Sequence, residues 1–172
     1  MANEEMPDEV VATPNTPAER LALANKTVRN YSIAAMAPAL VPVPFLDLAL
    51  VTSVQLKMLH SLSNIYGVKF SKNLGKEAIT SLMGGIAPLA IQPAAASLVK
   101  IIPIVGQAAG TLSMVTLSGA STYAVGKVFI QHFESGGTFL TFDPEKVRNY
   151  FATELEEGKK VVSDSKSEAA SS

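Results

Sequence analysis

From Ala78 to Gly126 the chain carries one charged residue, Lys100. Two uncharged arms flank it, Ala78–Val99 and Ile101–Gly126. At about 1.5 Å per residue, each is long enough to cross a hydrocarbon layer of roughly 30 Å. A proline corner, Lys100-Ile101-Ile102-Pro103, separates them. A stretch so poor in charge can be buried in a bilayer or in the core of a helical domain. Its residues are mostly Ala, Gly, Ser, Leu and Ile. The whole chain of 172 residues is 48% hydrophobic but only 6% aromatic and has no Trp. Small aliphatic residues suit closely packed helices better than a β-sandwich, which favours β-branched and aromatic residues. The expectation is an all-α fold of five to six helices, arranged as two stacked helical hairpins with Pro corners between acidic disordered tails.

Local signals place the helices. Residues 1–16 are acidic, contain Pro7 and Pro14 and show no periodicity, so they read as a disordered tail. Thr16, Pro17 and Glu19 form a helix start with Thr as N-cap, Pro at the first position and a capping-box Glu. Leu21, Ala24, Val28 and Tyr31 then recur at helical spacing to about Ala37. Pro38, Pro42 and Pro44 break the uncharged run Asn30–Leu46. A second helix begins at Phe45 or Leu46, with the apolar stripe Leu50, Val54, Met58, Leu62 and Ile65 and with Gln55, Lys57 and His60 on wetter faces. Gly67 ends it. Ser71 caps a third helix, disturbed at Gly84-Gly85 and Pro88, and a short fourth piece covers Pro93–Lys100. The fifth and longest runs from about Val105 to Glu134 and stops at Ser135-Gly136-Gly137. Asp143-Pro144 starts a C-terminal amphipathic helix with Val147, Tyr150, Phe151 and Leu155 on one face. These signals divide the chain into a helical-hairpin domain at 17–137, a C-terminal helix at 138–160 and a disordered tail at 161–172. The corners Val41-Pro42-Val43 and Ile102-Pro103-Ile104 hint at an internal repeat.

Charge is unevenly spread. Residues 1–20 carry a net −4, residues 143–172 a net −2, and the stretch between them a net +5. A basic, apolar body between acidic tails fits an anionic lipid surface, and it lacks the dense Arg and interleaved aromatics of a nucleic-acid binder. If the second hairpin enters and leaves a membrane on one face, Lys69, Lys72 and Lys76 flank its entry and Lys127 its exit, as basic residues on the cytoplasmic side. Gly106 and Gly110 form a GxxxG pair, and Ser118, Thr122 and Gly126 continue small residues at four-residue spacing. Such a face lets helix backbones approach closely, within one chain or between copies. A signal peptide is not expected, since the N-terminus lacks both a basic and an apolar region.

Catalytic chemistry is not evident. The absence of cysteine excludes disulfides, thiolate metal sites and Cys nucleophiles. The run Ser121 to Val128 approaches a phosphate-binding loop at Gly126-Lys127 but lacks the first Gly and the closing hydroxyl. His60 and His132 are far apart in sequence, and Asp47 suits stabilisation of a helix start. No catalytic residue, cofactor or metal ligand is assigned.

Several blocks carry a resemblance: Val41-Pro42-Val43-Pro44-Phe45-Leu46-Asp47, Gln55-Leu56-Lys57-Met58, Ile65-Tyr66-Gly67-Val68 and Ile102-Pro103-Ile104-Val105-Gly106. The clearest runs from Thr122 to Phe129 and ends in Phe133-Glu134-Ser135-Gly136-Gly137. From about Asn25 to Phe139 the chain resembles the bacterial domain of unknown function numbered 697. The resemblance implies a helical, inner-membrane-linked module that works with a GTPase, which here would act in trans. Two readings stand at this point. One is a non-catalytic, membrane-associated module that anchors or assembles with a partner at the bacterial inner membrane. The other is a soluble, cytoplasmic helical protein that interacts or oligomerises through its small-residue face.

Overall fold

Helix boundaries follow from local hydrogen bonding. The computed structural model describes Pro14 and residues 16–37, 46–84 and 106–171, with helix backbone alone at 46–48 and 106–114. In the first helix, Pro17–Ala34 (α1), the Thr16 hydroxyl accepts from the Glu19 amide at 3.2 Å and the Glu19 carboxylate accepts from the Thr16 amide at 3.0 Å. This reciprocal pair satisfies two of the donors that a helix start leaves open. The second helix, Leu46–Tyr66 (α2), ends at Gly67 with φ +66°. There the Gly67 and Val68 amides donate back to the carbonyls of Asn64 and Ser63. The third helix, Lys72–Gly84 (α3), starts with the Ser71 hydroxyl accepting from Leu74. The fourth, Gly106–Glu134 (α4), ends as α2 does: Gly136 has φ +81°, and Gly136 and Gly137 donate to Phe133 and His132. Both ends are Schellman motifs, which need a left-handed residue that Gly supplies without strain. A 3₁₀ turn at Phe139–Thr141 leads to the fifth helix, Pro144–Ala170 (α5), where Asp143 accepts from Glu145.

Side-chain partners fix how the helices lie. Arg20 lies over Tyr66 and the Tyr31 hydroxyl meets Ser61, so α1 and α2 are antiparallel. Gln55 reaches Thr122 and Tyr66 reaches Glu134, so α2 and α4 run parallel. Lys127 binds Asn25, and a Cβ at Gly119 would meet Ser32 and Met36, so α1 and α4 are antiparallel. Lys166 binds Thr116 and Gly158 abuts Ala120, so α5 returns antiparallel along α4. The central helix α4 thus touches α1, α2 and α5 along its length, while α3 packs on α2, α5 and the 3₁₀ turn. Val28, Met58, Leu59, Leu62, Val125, Val128 and Phe129 are fully buried between them. Each such side chain contributes about 1.5–3 kcal/mol when removed from water.

The all-α class holds, with five α-helices among the described residues. Several details differ from expectation. Among the described residues the helix packed most extensively on α4 is α5, antiparallel to it, while of the arm expected to pair with α4 only the part to Gly84 is described, and it makes slight contact there. The tail expected at 161–172 is helical to Ala170, because Phe151, Leu155, Gly158 and Val162 continue one buried stripe against α4. The first helix stops at Ala34, and Leu21 is exposed while Ala24, Val28 and Ser32 form its buried face. On α2, Leu50 is exposed and Gln55 is buried, the reverse of the sequence reading. The reason is that α2 has neighbours on more than one side, so its buried arc centres on Gln55, Met58, Leu59 and Leu62. The N-terminal tail, the proline corners, the first arm beyond Gly84 and the short helix Pro93–Lys100 lie outside the described residues.

Among the described residues no helix is long and apolar enough to cross a membrane. Among the described side chains, the buried hydroxyls of α4 are satisfied within the helix. Thr122 and Ser121 donate to the Ser118 carbonyl, and Ser32 on α1 donates to Val28. Each buried hydroxyl thereby finds its acceptor on its own helix, avoiding the cost of an unpaired polar group.

The α4–α5 seam holds Tyr150 in its neutral form. Burial first, then its hydrogen bond to Glu154 and that carboxylate's charge, push the phenol from its ordinary 10 up to about 12. A raised phenol stabilises the fold below the unfolded value and loses that contribution as pH rises through the folded one. The thermal midpoint is therefore expected to stay level up to about pH 10 and to fall towards pH 12. Tyr150→Phe should flatten that fall, as followed by circular dichroism across the alkaline range.

Candidate functional site

The two ends of the bundle differ in chemistry. At one end, α2 and α4 stop side by side, and their last turns are joined by the Tyr66 hydroxyl donating to Glu134 at 2.6 Å. The Arg20 guanidinium lies 5.5 Å from the Tyr66 ring centre. Burial and the Glu134 hydrogen bond hold the Tyr66 phenol well above its ordinary range, against the opposing charge of Arg20. Beneath this pair lies an aromatic cluster centred on Phe129. Its ring stacks on Phe142 at 4.7 Å, with Phe139 and Phe133 at 5.4 and 5.5 Å. His132 sits at the cluster's rim, one ring nitrogen 2.9 Å from the Thr138 carbonyl, and it occupies the space a Cβ on Gly137 would need. His60 packs on Phe70.

These contacts tie the last turns of α2 and α4 to the 3₁₀ turn. Among the described residues no three His, Asp or Glu side chains converge as a metal site. An open depression of about 340 Å³ on the outer side of α3 is lined by Asn73, Lys76, Glu77, Thr80 and Ser81, which form no nucleophile–base pair.

The opposite end is where α1 stops and where α2 and α4 begin. The uncharged sequences 38–46 and 101–105 join the bundle here. Register shows how far each helix reaches. Carrying the α2–α4 pairing back from Gln55–Thr122 puts Leu46 level with Ser113 and Leu50 level with Leu117. Extending the α4–α5 pairing from Lys166–Thr116 puts the end of α5 level with Gly110 to Thr111 and Leu112. Ser32 and Met36, beside Gly119, put the end of α1 lower still. The first turn or so of α4, from Gly106, therefore projects beyond α1, α2 and α5 by several ångströms, at about 1.5 Å per residue.

The residues singled out from sequence fall into separate places. Gly126 and Thr122 are buried within the chain's own core. A Cβ on Gly126 would meet Val28 and Met58, and the Thr122 hydroxyl accepts from Gln55 at 3.3 Å. Ser118 is half-buried beside them. Gly106 and Gly110 lie on the projecting start of α4, and their surroundings are outside the described side chains. Lys69, Lys72 and Lys76 are exposed around the α2–α3 turn, at or toward the aromatic end. Lys127 is half-buried between α4 and α1, its amine donating to the Asn25 side chain at 2.8 Å. The Gln55–Thr122 and Tyr66–Glu134 pairs escaped the sequence reading, since nearly seventy residues separate the partners and neither residue type is unusual on a helix.

Comparison with known proteins identifies the family. A family model described as "Domain of unknown function (DUF697)" matches residues 12–160. A protein of Magnetospirillum gryphiswaldense named "Magnetosome membrane protein 22" is 40% identical over 138 residues, covering 80% of this chain and 71% of that protein. No solved structure matches. With most of its length matched, including all five helices in whole or large part, the chain belongs to the DUF697 family.

Proposed function

We propose that this protein is a non-catalytic, membrane-associated helical module that holds or assembles a partner at the bacterial inner membrane. The observation that carries the reading is the polarity of the bundle along its axis. One end is closed by Schellman turns, the aromatic cluster and charged side chains. At the other, the uncharged runs on either side of the α1–α2 corner and ahead of α4 join the body. The relative named "Magnetosome membrane protein 22" supports membrane association. The partner class is the one the family resemblance implies, a GTPase acting in trans, with the exposed Lys69 and Lys72 facing away from the uncharged end.

A second reading, a soluble helical protein that oligomerises, is favoured by the GxxxG pair Gly106 and Gly110 at the start of α4, where Gly106 lies past the level at which α1, α2 and α5 end. Fractionation of cells expressing the full chain separates the two. The expected result is that the protein floats with membranes and stays there through a high-salt wash at neutral pH. Neutral salt is the cleaner wash, because an alkaline one enters the range in which Tyr150 loses its proton. Full recovery in the soluble fraction as a defined assembly would overturn the membrane reading in favour of the second.

A further inference from the structure

We infer that the bundle meets lipid end-on, with Ile33, Leu50 and Leu117 forming an apolar collar at the membrane interface. The inference rests on the membrane reading above and adds which surface makes the contact. Large aliphatic side chains exposed to solvent are few here. Ile33 is 41% exposed, Leu50 44% and Leu117 38%. They belong to three different helices, α1, α2 and α4. By the registers above, Leu50 is level with Leu117, and Ile33, one residue past the Ser32 that faces Gly119, lies within about one turn of them. Three helices that pack on one another thus each expose an aliphatic side chain at one height.

Charge follows the same plane. Residues 30–37 of α1 and its end, and residues 106–126 of α4, carry no charge at all. The start of α2 contributes only Asp47, in its first turn. The charged side chains near this height lie on or against α5, where Asp164 is exposed at the level of Leu117 to Ser118. Arg29 meets Glu168 at 3.7 Å, and the Lys166 amine donates to Thr116 at 3.0 Å. Aliphatic residues mixed with Arg and Lys at one level, with uncharged helix projecting beyond, match the boundary between headgroups and acyl chains. A lipid surface met end-on reaches exposed residues at one height on several helices at once, whatever their angle around the bundle axis. The rival surface is Leu140, 84% exposed at the 3₁₀ turn. Leu21, 40% exposed at the start of α1, is the other large aliphatic at that end, and charges lie close to both in sequence, Glu19 and Arg20 beside Leu21 and Asp143, Glu145, Lys146 and Arg148 after Leu140.

The chain has neither Trp nor Cys, so one introduced indole reports without background. The test uses the full chain with Ile33→Trp, Leu50→Trp, Leu117→Trp or Leu140→Trp and vesicles of phosphatidylcholine and phosphatidylglycerol, with and without brominated acyl chains. The first three are expected to shift their emission to the blue and to be quenched by bromine, while Leu140→Trp keeps its emission in buffer. Leu50→Asp and Leu117→Asp should each weaken vesicle partitioning roughly tenfold with the helical circular dichroism unchanged. Quenching confined to Leu140→Trp would overturn the orientation while leaving membrane association intact. Flotation without quenching at any of the four positions would overturn the collar alone. Failure to float would remove the membrane reading itself. A blue shift that grows with protein concentration in the absence of vesicles would assign the collar to a second copy of the chain and overturn the lipid assignment.

Discussion

Gly126→Ala is expected to destabilise the protein by about 1–3 kcal/mol, the usual cost of forcing extra volume into a packed core. A Cβ at this position would lie 2.5 and 2.7 Å from the two Val28 methyls and 3.1 Å from the Met58 sulfur. Relief requires α1 to move away from α4, yet Lys127–Asn25 and the Ser32–Gly119 approach hold that seam on both sides. Gly126→Leu should go further and leave no cooperative unfolding transition. The partner is known, so rescue is predictable. Val28→Ala removes both methyls, and Gly126→Ala in that background should cost much less than in the native chain. A double-mutant cycle by urea denaturation measures the coupling. Equal costs in both backgrounds would show that Gly126 does not face Val28. The result also bears on the small-residue face, because a contact within one chain lowers stability independently of protein concentration.

Phe129→Ala is expected to cost about 3–5 kcal/mol, the range for truncating a buried aromatic. That is a large share of the roughly 5–15 kcal/mol by which domains of this kind are held folded. Phe129 has no exposed surface and touches the rings of Phe133, Phe139, Phe142 and His132. Its removal opens a cavity where α4, the 3₁₀ turn and the start of α5 meet. The seam beside Gly158 and Val162 lies further along α5 and should resist longer. Amide exchange is the discriminating measurement, with protection lost first from Thr138 to Phe151. Uniform loss along α5 would mean that the cluster is not a local anchor.

The capped helix starts and the two glycine stops were legible in the sequence, whereas the ends of α1 and α5 were not. Thr16 with Glu19, Asp143 with Pro144, Gly67, and Gly136 with Gly137 each act within a few residues, and each appears where its chemistry put it. Faces were less legible. Leu50 and Gln55 exchanged roles, and Val162 kept α5 helical through a stretch that reads as tail. A helix bearing one neighbour buries one stripe, whereas α2 and α4 bear several, and their periodicity cannot say which arc each neighbour takes. The small residues of α4 illustrate the same limit. Their spacing announces close approach, but only the neighbours show that Gly126 receives Val28 and Gly119 faces Ser32, Met36 and Val162.

The sequence by itself determined the all-α class, the capping sites and the concentration of uncharged chain between Ala78 and Gly126, because these depend on backbone hydrogen bonds over a turn or on composition. Tertiary structure decided that α4 lies parallel to α2 and antiparallel to α1 and α5, and so which residues share a height. That pairing brings Tyr66 to Glu134, buries Thr122 against Gln55 and sets Ile33, Leu50 and Leu117 at one level. Such juxtapositions arise from contacts between helices distant in sequence, where the free energy depends on the shapes of both surfaces and no local pattern records the partner.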